Sequence, residues 1–503
     1  MAYQNTFVTA RRKSYFVVEE TTPGTLAFPT ASNAIYLTDY VAPEQSTKMS
    51  DLMAIRESLT ALPKIMDGFG SGTFSGLSLS ARVSGTAGTA PGLGEITLLK
   101  CALGKVTSGA TSTVSAIAVS GATKANPSVF TIPAGHTFQA GDIITMANCT
   151  VAAFNGSHIL ASVTSTTVTT ATDSSAYASA ATDGDITLAM TRIEPAQVLP
   201  HFSIWCITGE YNSATGGAII EAYSGCMITS GPGISLEKKA ELKYTFSGKF
   251  QREYHGGTAT LSATAANGAT TLTFSSGSYL VDQLFFVGQK VNVIDPAGTV
   301  TLSAPVTVSA VNTSGNTITV GTMTVADGPF PTGSIVKPYL PTPSITGQVV
   351  PLAKMGVYFG AYDTGYGSAS GKLFHSASFI GSNKSSISIE HTVEAPGENE
   401  CNLTLYPTAG FVVKDRKVSG SVEIALRYDD QKLYKSLEDE QRRSVGISVG
   451  TTAGAIVDIY IPQVFMEKPK RSPETAGGHM ETLSWTAQEP TLGQERELMI
   501  VLR

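Results

Sequence analysis

Gly217 to Tyr223 reads GAIIEAY, and Gly454 to Tyr460 reads GAIVDIY, 237 positions later. Four of the seven positions are identical, and the changes from Ile220 to Val457 and from Glu221 to Asp458 keep the chemistry. A phrase repeated at that distance asks for one structural unit present twice. Alternating apolar residues behind a glycine read as a strand entered from a turn. With a single acid and no second reactive group, the phrase is scaffold rather than a site.

The rest of the chain has to be divided before the two copies can be compared. At 503 residues it is too long for one core. Charge is spread unevenly. Val106–Glu194 holds only Lys124, Asp142, Asp173, Asp183, Asp185, Arg192 and Glu194, and 258–343 holds only Asp282, Lys290, Asp295, Asp327 and Lys337. These two segments carry about 7% charged residues against about 19% elsewhere. They also resemble each other. FTIPAGHTFQAGDIITM and LTFSSGSYLVDQLFFVGQKVNVI each give a strand, a turn and a Gly-[Asp/Gln]-x-[Ile/Val] strand. A Thr/Val-rich hairpin follows each, with TSGN at Thr313–Asn316 as turn chemistry. Both read as small inserted β-modules, barrel or Ig-like, of about 85 residues.

Without them, residues 1–105 and 195–257 form one unit and 344–503 the other. The first unit holds FSGLSLSARV, a strand, then GEITLLKCALGK, where Ile96, Leu99 and Leu103 take helical spacing and Gly104 can end the helix. The second holds VSGSVEIALRYDDQKLYKSLEDE, again strand then helix, with Asp430 as cap and Leu433 with Leu437 as stripe. Each then reaches its GAI strand and a last strand, AELKYTFSGKF or METLSWTAQEP. Leu77 and Leu79 fall out of phase with Val422 and Ile424 by one residue, so the alignment needs a small gap. Both insertions fall in connections, where length costs little closure entropy, and removal of Val106–Glu194 is expected to leave assembly intact.

Chemistry is hard to place on this chain. No phosphate-binding loop, H-E-x-x-H or G-x-S-x-G is present. The glycines of GFGSGTFSG, Gly68–Gly76, suit a turn before a strand. The seven histidines never pair at helical spacing, so no metal is expected, and no cofactor. Cys101, Cys149, Cys206, Cys226 and Cys401 have no C-x-x-C spacing and read as buried thiols of a reducing cytoplasm. Asn155-Gly156-Ser157 matches a glycosylation sequon and reads as a turn. Arg11, Arg12 and Lys13 interrupt any apolar run of signal-peptide length, and no stretch reaches the roughly 18 apolar residues of a membrane span. The net charge of −6 speaks against a chain that grips nucleic acid through its phosphates. The expectation is a protein that is not an enzyme.

In order along the chain, EETTPGTLAF, LLKCALGK, GAIIEAY and AIVDIYIPQVFMEKPKRSPETAGGHMETLSWTAQE resemble a bacteriophage tail tube protein of the long-tailed, non-contractile kind, over about 330 residues. The resemblance implies a mainly β protein: two tandem tail-tube-type β-sandwich or barrel domains, each with a short helix, carrying the two inserted modules on the outside. It implies stacked rings around a channel, a tape-measure protein inside, and tail terminator and distal tail proteins at the ends. DNA would pass through the lumen without specific binding, in a virion tail assembled in the bacterial host cytoplasm. A duplicated chain would close a six-fold ring from three subunits, with a homohexamer as the alternative.

Two charged connections are the candidate contacts between stacked rings. EQSTKMSDLMAIRESLTALPK offers Glu44, Lys48, Asp51, Arg56 and Glu57, and EAPGENE offers Glu394, Glu398 and Glu400. Solvated loops are the plainer reading of both. A head decoration or host-surface-binding β-domain protein is the alternative function, although both tryptophans, Trp205 and Trp485, lie outside the inserted modules. A glycan-active enzyme lacks a recognisable pair of carboxylates.

Overall fold

Period-two alternation of apolar and polar residues runs through most of this chain, and it folds as a mainly β structure. The computed structural model describes residues 13–45, 47–51, 64–85, 91–209, 217–237, 240–275, 281–298, 301–324, 328–352, 355–361, 378–380, 382–395, 410–425, 442–452, 454–467, 470–471, 480–489 and 496–503.

The chain opens with β1 (Lys13–Glu19), β2 (Ala34–Ile35), β3 (Leu37–Glu44), β4 (Thr47–Asp51), β5 (Lys64–Phe69), β6 (Gly72–Ser80), β7 (Arg82–Val83), α1 (Leu93–Leu103) and β8 (Gly104–Thr107). Short strands follow: β9 (Ile117–Ala118), β10 (Gly121–Ala122), β11 (Val129–Thr131), β12 (Ile143–Ala147), β13 (Gly156–Val163), β14 (Thr167–Thr170) and β15 (Asp185–Leu188). Then come β16 (Thr191–Pro195), β17 (Phe202–Gly209), β18 (Ala218–Glu237), β19 (Lys243–Phe250) and β20 (Arg252–Gly256). A second short group is β21 (Ala259–Thr260), β22 (Thr271–Thr273), β23 (Lys290–Ile294), β24 (Val306–Asn312), β25 (Thr317–Val320) and β26 (Ile335–Pro338). The chain closes with β27 (Gln348–Val349), β28 (Met355–Ala361), β29 (Ser378–Ile380), β30 (Ser382–Glu394), β31 (Val412–Ala425), β32 (Arg443–Val449), β33 (Val457–Met466), β34 (Lys470–Arg471), β35 (Met480–Ala487) and β36 (Met499–Leu502).

The same ladder occurs twice. In the first half β3 pairs with β6, β6 with β19 and β19 with β18. In the second half β30 pairs with β31, β31 with β35, and β35 with β33 and β34. The register agrees over much of its length. Gly233↔Thr245 and Ile234↔Tyr244 recur, 237 positions on, as Lys470↔Thr482 and Arg471↔Glu481. Leu37↔Leu79 and Asp39↔Ser78 recur as Ser382↔Ile424 and Lys384↔Glu423, with the same irregularity between the two pairs.

The phase mismatch seen in the sequence has a local cause. Leu77 and Leu79 face Phe246 and Tyr244, and Val422 and Ile424 face the corresponding Leu483 and Glu481, so the four are in phase. The extra residue sits in β6, where Gly76 takes φ +65° and the register against both β3 and β19 slips by one. That is a β-bulge, and a glycine supplies the left-handed φ.

Each half also has a second sheet. The first runs β2-β1-β17-β18-β20 and the second β29-β28-β32-β33-β36. The repeated phrase begins the shared strand of each half, and β18 and β33 both cross from one sheet to the other. In β18 the crossing is at Gly225 (φ +64°), where a Cβ would stand 2.2 Å from Gln251 Oε1. Its N–H donates to Glu20 Oε1 at 2.8 Å. Pro462 holds the corresponding place in β33. Between the sheets lies one core, with Phe246, Ile234, Ile387, Val422 and Trp485 on one side and Ile204, Val357, Ile447 and Ile459 on the other.

Helix α1 packs into the same core with Ile96, Leu98, Leu99, Cys101 and Leu103 buried, so its apolar surface is wider than the stripe expected from sequence. Gly104 ends it with φ +121°, and a Cβ there would meet Ala196 at 2.6 Å. The helix expected after Asp430 lies outside the described residues, as does Cys401. The other four cysteines are buried and unbonded.

The two short-strand groups form their own sheets, β10-β11-β14-β13-β12-β15-β9 and β22-β25-β24-β23-β26-β21. Apart from β10 the two orders coincide, and each hairpin carries a register shift at the same place, Leu160/Ser162 and Val308/Ala310. Asp142 accepts the Gln139 N–H at 2.8 Å, and Gln289 accepts the Phe286 N–H at 3.1 Å. Only Asp142 meets a cation. The buried Arg192 donates to both its oxygens at 2.8 Å, opposing the burial that pushes Asp142 up to about 6.

Candidate assembly interface

The two ladders join inside the chain. β18 pairs with β30 through Ile234↔Ile387, Ser235↔Ser386, Leu236↔Ser385 and Glu237↔Lys384. The result is one sheet in the order β3-β6-β19-β18-β30-β31-β35-β33, four strands from each half. One face is the buried core. The other carries short hydroxyls, with Ser78 against Thr245 at 3.0 Å in the first half and Ser386 against Ser421 at 2.8 Å in the second. Lys243, Lys249, Lys384 and Lys417 alternate there with Glu237, Glu390 and Glu423. Glu237 and Lys384 form an ion pair across the joint, with side chains 52% and 54% exposed. A pair so exposed contributes little, and the backbone ladder with the burial of Ile234, Leu236 and Ile387 holds the joint.

A second joint lies on the other sheet. Strand β16, which leads out of the first inserted segment, pairs with β36 of the second half and with β8. The first segment thus rests on the second half, and Tyr460, Met499 and Val501 belong to its core. Around this joint Arg416 pairs with Glu497 and donates to the Ala196 carbonyl at 3.1 Å. His201 Nε2 accepts the Phe411 N–H at 3.2 Å. Burial lowers the His201 pKa, and burial followed by the Arg416 charge lowers that of His391 to about 4, so both imidazoles are neutral at physiological pH.

The candidate contact residues fall on matching connections. Glu44 ends β3 and is exposed, and Lys48 and Asp51 lie on β4, which pairs with β5. Glu394 ends β30 and pairs with Lys414 across the root of the β30–β31 connection. Arg56, Glu57, Glu398 and Glu400 lie outside the described residues. Both connections leave equivalent strands, β3 and β30, and return to equivalent strands, β6 and β31. The structure therefore brings Glu44, Lys48 and Asp51 onto one connection and Glu394 onto its counterpart.

Sequence reasoning missed three residues here. Glu20 is buried and accepts from Gly24 N–H at 2.7 Å, Ser203 Oγ at 2.6 Å and Gly225 N–H at 2.8 Å, which ties the EETTPGTLAF segment to the corner of β18. Its carboxyl is raised by burial. Arg416 and Glu497 sit 81 positions apart, and nothing local marks either. The described residues hold no group of three or more His, Cys, Asp or Glu able to bind a metal ion.

No protein-family model matches the sequence, and no curated protein matches it. Two solved structures are similar to parts of it. One is the crystal structure of Hcp protein, 13% identical with a TM-score of 0.16, covering 26% of this chain and 86% of that one. The other is the six-fold symmetrised cryo-EM structure of the anti-feeding prophage baseplate, 12% identical with a TM-score of 0.20, covering 30% of this chain and 92% of that one.

Proposed function

We propose that this chain is a structural subunit of a phage-like tail tube, acting by polymerisation rather than by catalysis. The observation that carries the reading is the joint between β18 and β30: one unit is already docked on its own duplicate, edge to edge, in a single continuous sheet. A head-to-tail contact of that kind, repeated with a rotation that closes, generates a ring. Six units close it, which makes three chains per ring, with six chains as the alternative. Rings stack through the β3–β6 and β30–β31 connections, where Glu44, Lys48, Asp51, Arg56, Glu57, Glu394, Glu398 and Glu400 set register.

The wet face of the sheet becomes the wall of the channel. Serine and threonine hydroxyls offer DNA only exchangeable hydrogen bonds, and the lysines alternate with glutamates instead of forming a positive track. DNA passes without specific binding. A tape-measure protein fills the channel during assembly, terminator and distal tail proteins close the ends, and the finished location is the virion tail, assembled in the bacterial host cytoplasm. No membrane and no cofactor enter this reading.

Electron microscopy of the purified protein tests it. Regular tubes or rings with a central channel and three chains per ring are expected. Monomers persisting at high concentration would overturn the tube and return the decoration or host-binding alternative.

A further inference from the structure

The joint inside the chain uses the edges of β18 and β30. Among the described residues their duplicates, the edge of β33–β34 and the edge of β3, stand at the two ends of the eight-strand sheet. We propose that a second copy of this chain docks its β3 edge on the β33–β34 edge of the first, in the register that β30 takes against β18, with Lys470 of one copy facing Glu44 of the next. This rests on the ring reading above and specifies its seam.

The register follows from the duplicated strand pairs. Ile234 faces Ile387. Arg471 holds the place of Ile234, since they face Glu481 and Tyr244 of the duplicated strands. Val41 holds the place of Ser386, because Ser75 and Ser421, their partners, occupy the same level of the duplicated ladder. Ala42 follows Val41 as Ile387 follows Ser386, so Arg471 meets Ala42. One level along, Lys470 holds the place of Gly233, and Glu44 that of Ser388, Pro43 being the extra residue where the β3 register shifts against β6. Glu44 and Ser388 face Thr73 and Ser419, which in turn face Lys249 and Thr486.

Charge favours a second copy as the occupant. The β34 edge carries Lys470, and the β3 edge carries Glu44. Lys470 and Glu44 are both exposed in the single chain. The inside joint is reinforced on the other sheet by β16 on β36, and among the described residues the second half has no counterpart of β16. The seam between chains therefore depends on the inner sheet and its charges, which makes it the salt-sensitive joint of the ring.

Glu44→Lys and Lys470→Glu should each raise the protein concentration needed for assembly about tenfold, and the double variant should restore it. Both residues are exposed, so the melting of the single chain should not move. Opposed residues of antiparallel strands bring Cα atoms to about 4.5–5.5 Å, within disulfide reach. The Ala42→Cys/Arg471→Cys variant should therefore form a disulfide between chains on assembly. Tubes that form without that cross-link, or charge variants that assemble like the parent, would overturn the seam and leave the tube reading standing. A parent protein that never assembles would overturn both.

Discussion

The indole of Trp485 covers Gly420 so closely that a Cβ there would stand 2.2 Å from Cζ2. The other half repeats the contact with the roles exchanged: Gly248 faces Phe74, and a Cβ on Gly248 would meet the Phe74 ring at 2.4 Å. The glycine is on β31 and the ring on β35 in one half, and the glycine is on β19 and the ring on β6 in the other. Gly420→Ala would also bring its Cβ to 2.5 Å from the Ser386 carbonyl, which a turn of the indole cannot relieve. The expected loss is about 1–3 kcal/mol by chemical denaturation. Gly121→Ala, with nothing nearer than 3.8 Å, is the control. Equal midpoints for the two would contradict this account.

Asp142 and Arg192 are both fully buried, and Arg192 also donates to the Thr137 carbonyl at 2.9 Å. Asp142→Ala leaves the guanidinium without a counter-charge, at a cost of about 3–5 kcal/mol. Arg192 lies on β16, so early loss of protection should appear by hydrogen exchange in both 117–188 and β36. A loss confined to one of them would refute the coupling.

Glu95 accepts the Arg82 N–H at 3.0 Å and is almost wholly buried, and burial raises its pKa to about 8. The sign follows from linkage. The folded chain holds the proton more tightly than the unfolded one, so this contribution is complete below about 4.5 and is lost as pH rises through about 8. Glu95→Gln mimics the protonated form. Its melting temperature should match the parent at pH 4.5 and exceed it at pH 8.5. A difference that stays constant with pH would contradict the assignment.

Removal of 106–194 now carries a different expectation from the one its loop position invites. It takes β16 from the edge of β36 and uncovers Tyr460, Met499 and Val501, at about 1.5–3 kcal/mol for each side chain. The shortened chain should melt earlier and assemble poorly. Tubes of normal stability and smaller outline would instead show the segment to be dispensable.

The duplication was legible because GAIIEAY and GAIVDIY both pass through the core, where burial of Ile220, Tyr223, Ile459 and Tyr460 limits change. The inserted segments were legible because a small β unit needs few charges, and the step in charge outlines them. The partner of β16 was not legible. Arg192 and Val501 are paired across about 300 residues, and a strand's own pattern does not name its neighbour. The exchanged glycine and aromatic were hidden for a related reason: Phe74 with Gly248 and Gly420 with Trp485 fill the same space, and no position-by-position alignment scores that as likeness. For the assembly surface, sequence pointed to the two charged connections. The edge at Lys470 needed the register, since a lysine near a turn has no signature of its own.

Because β36 is synthesised long after β16, the first half of this protein cannot finish folding while the ribosome is still making the second. The short β8-β16 ladder waits, one neighbour short, until Met499–Leu502 arrives. The order of synthesis thus becomes a timing device, and the subunit that reaches its final fold is one whose two halves have both been made.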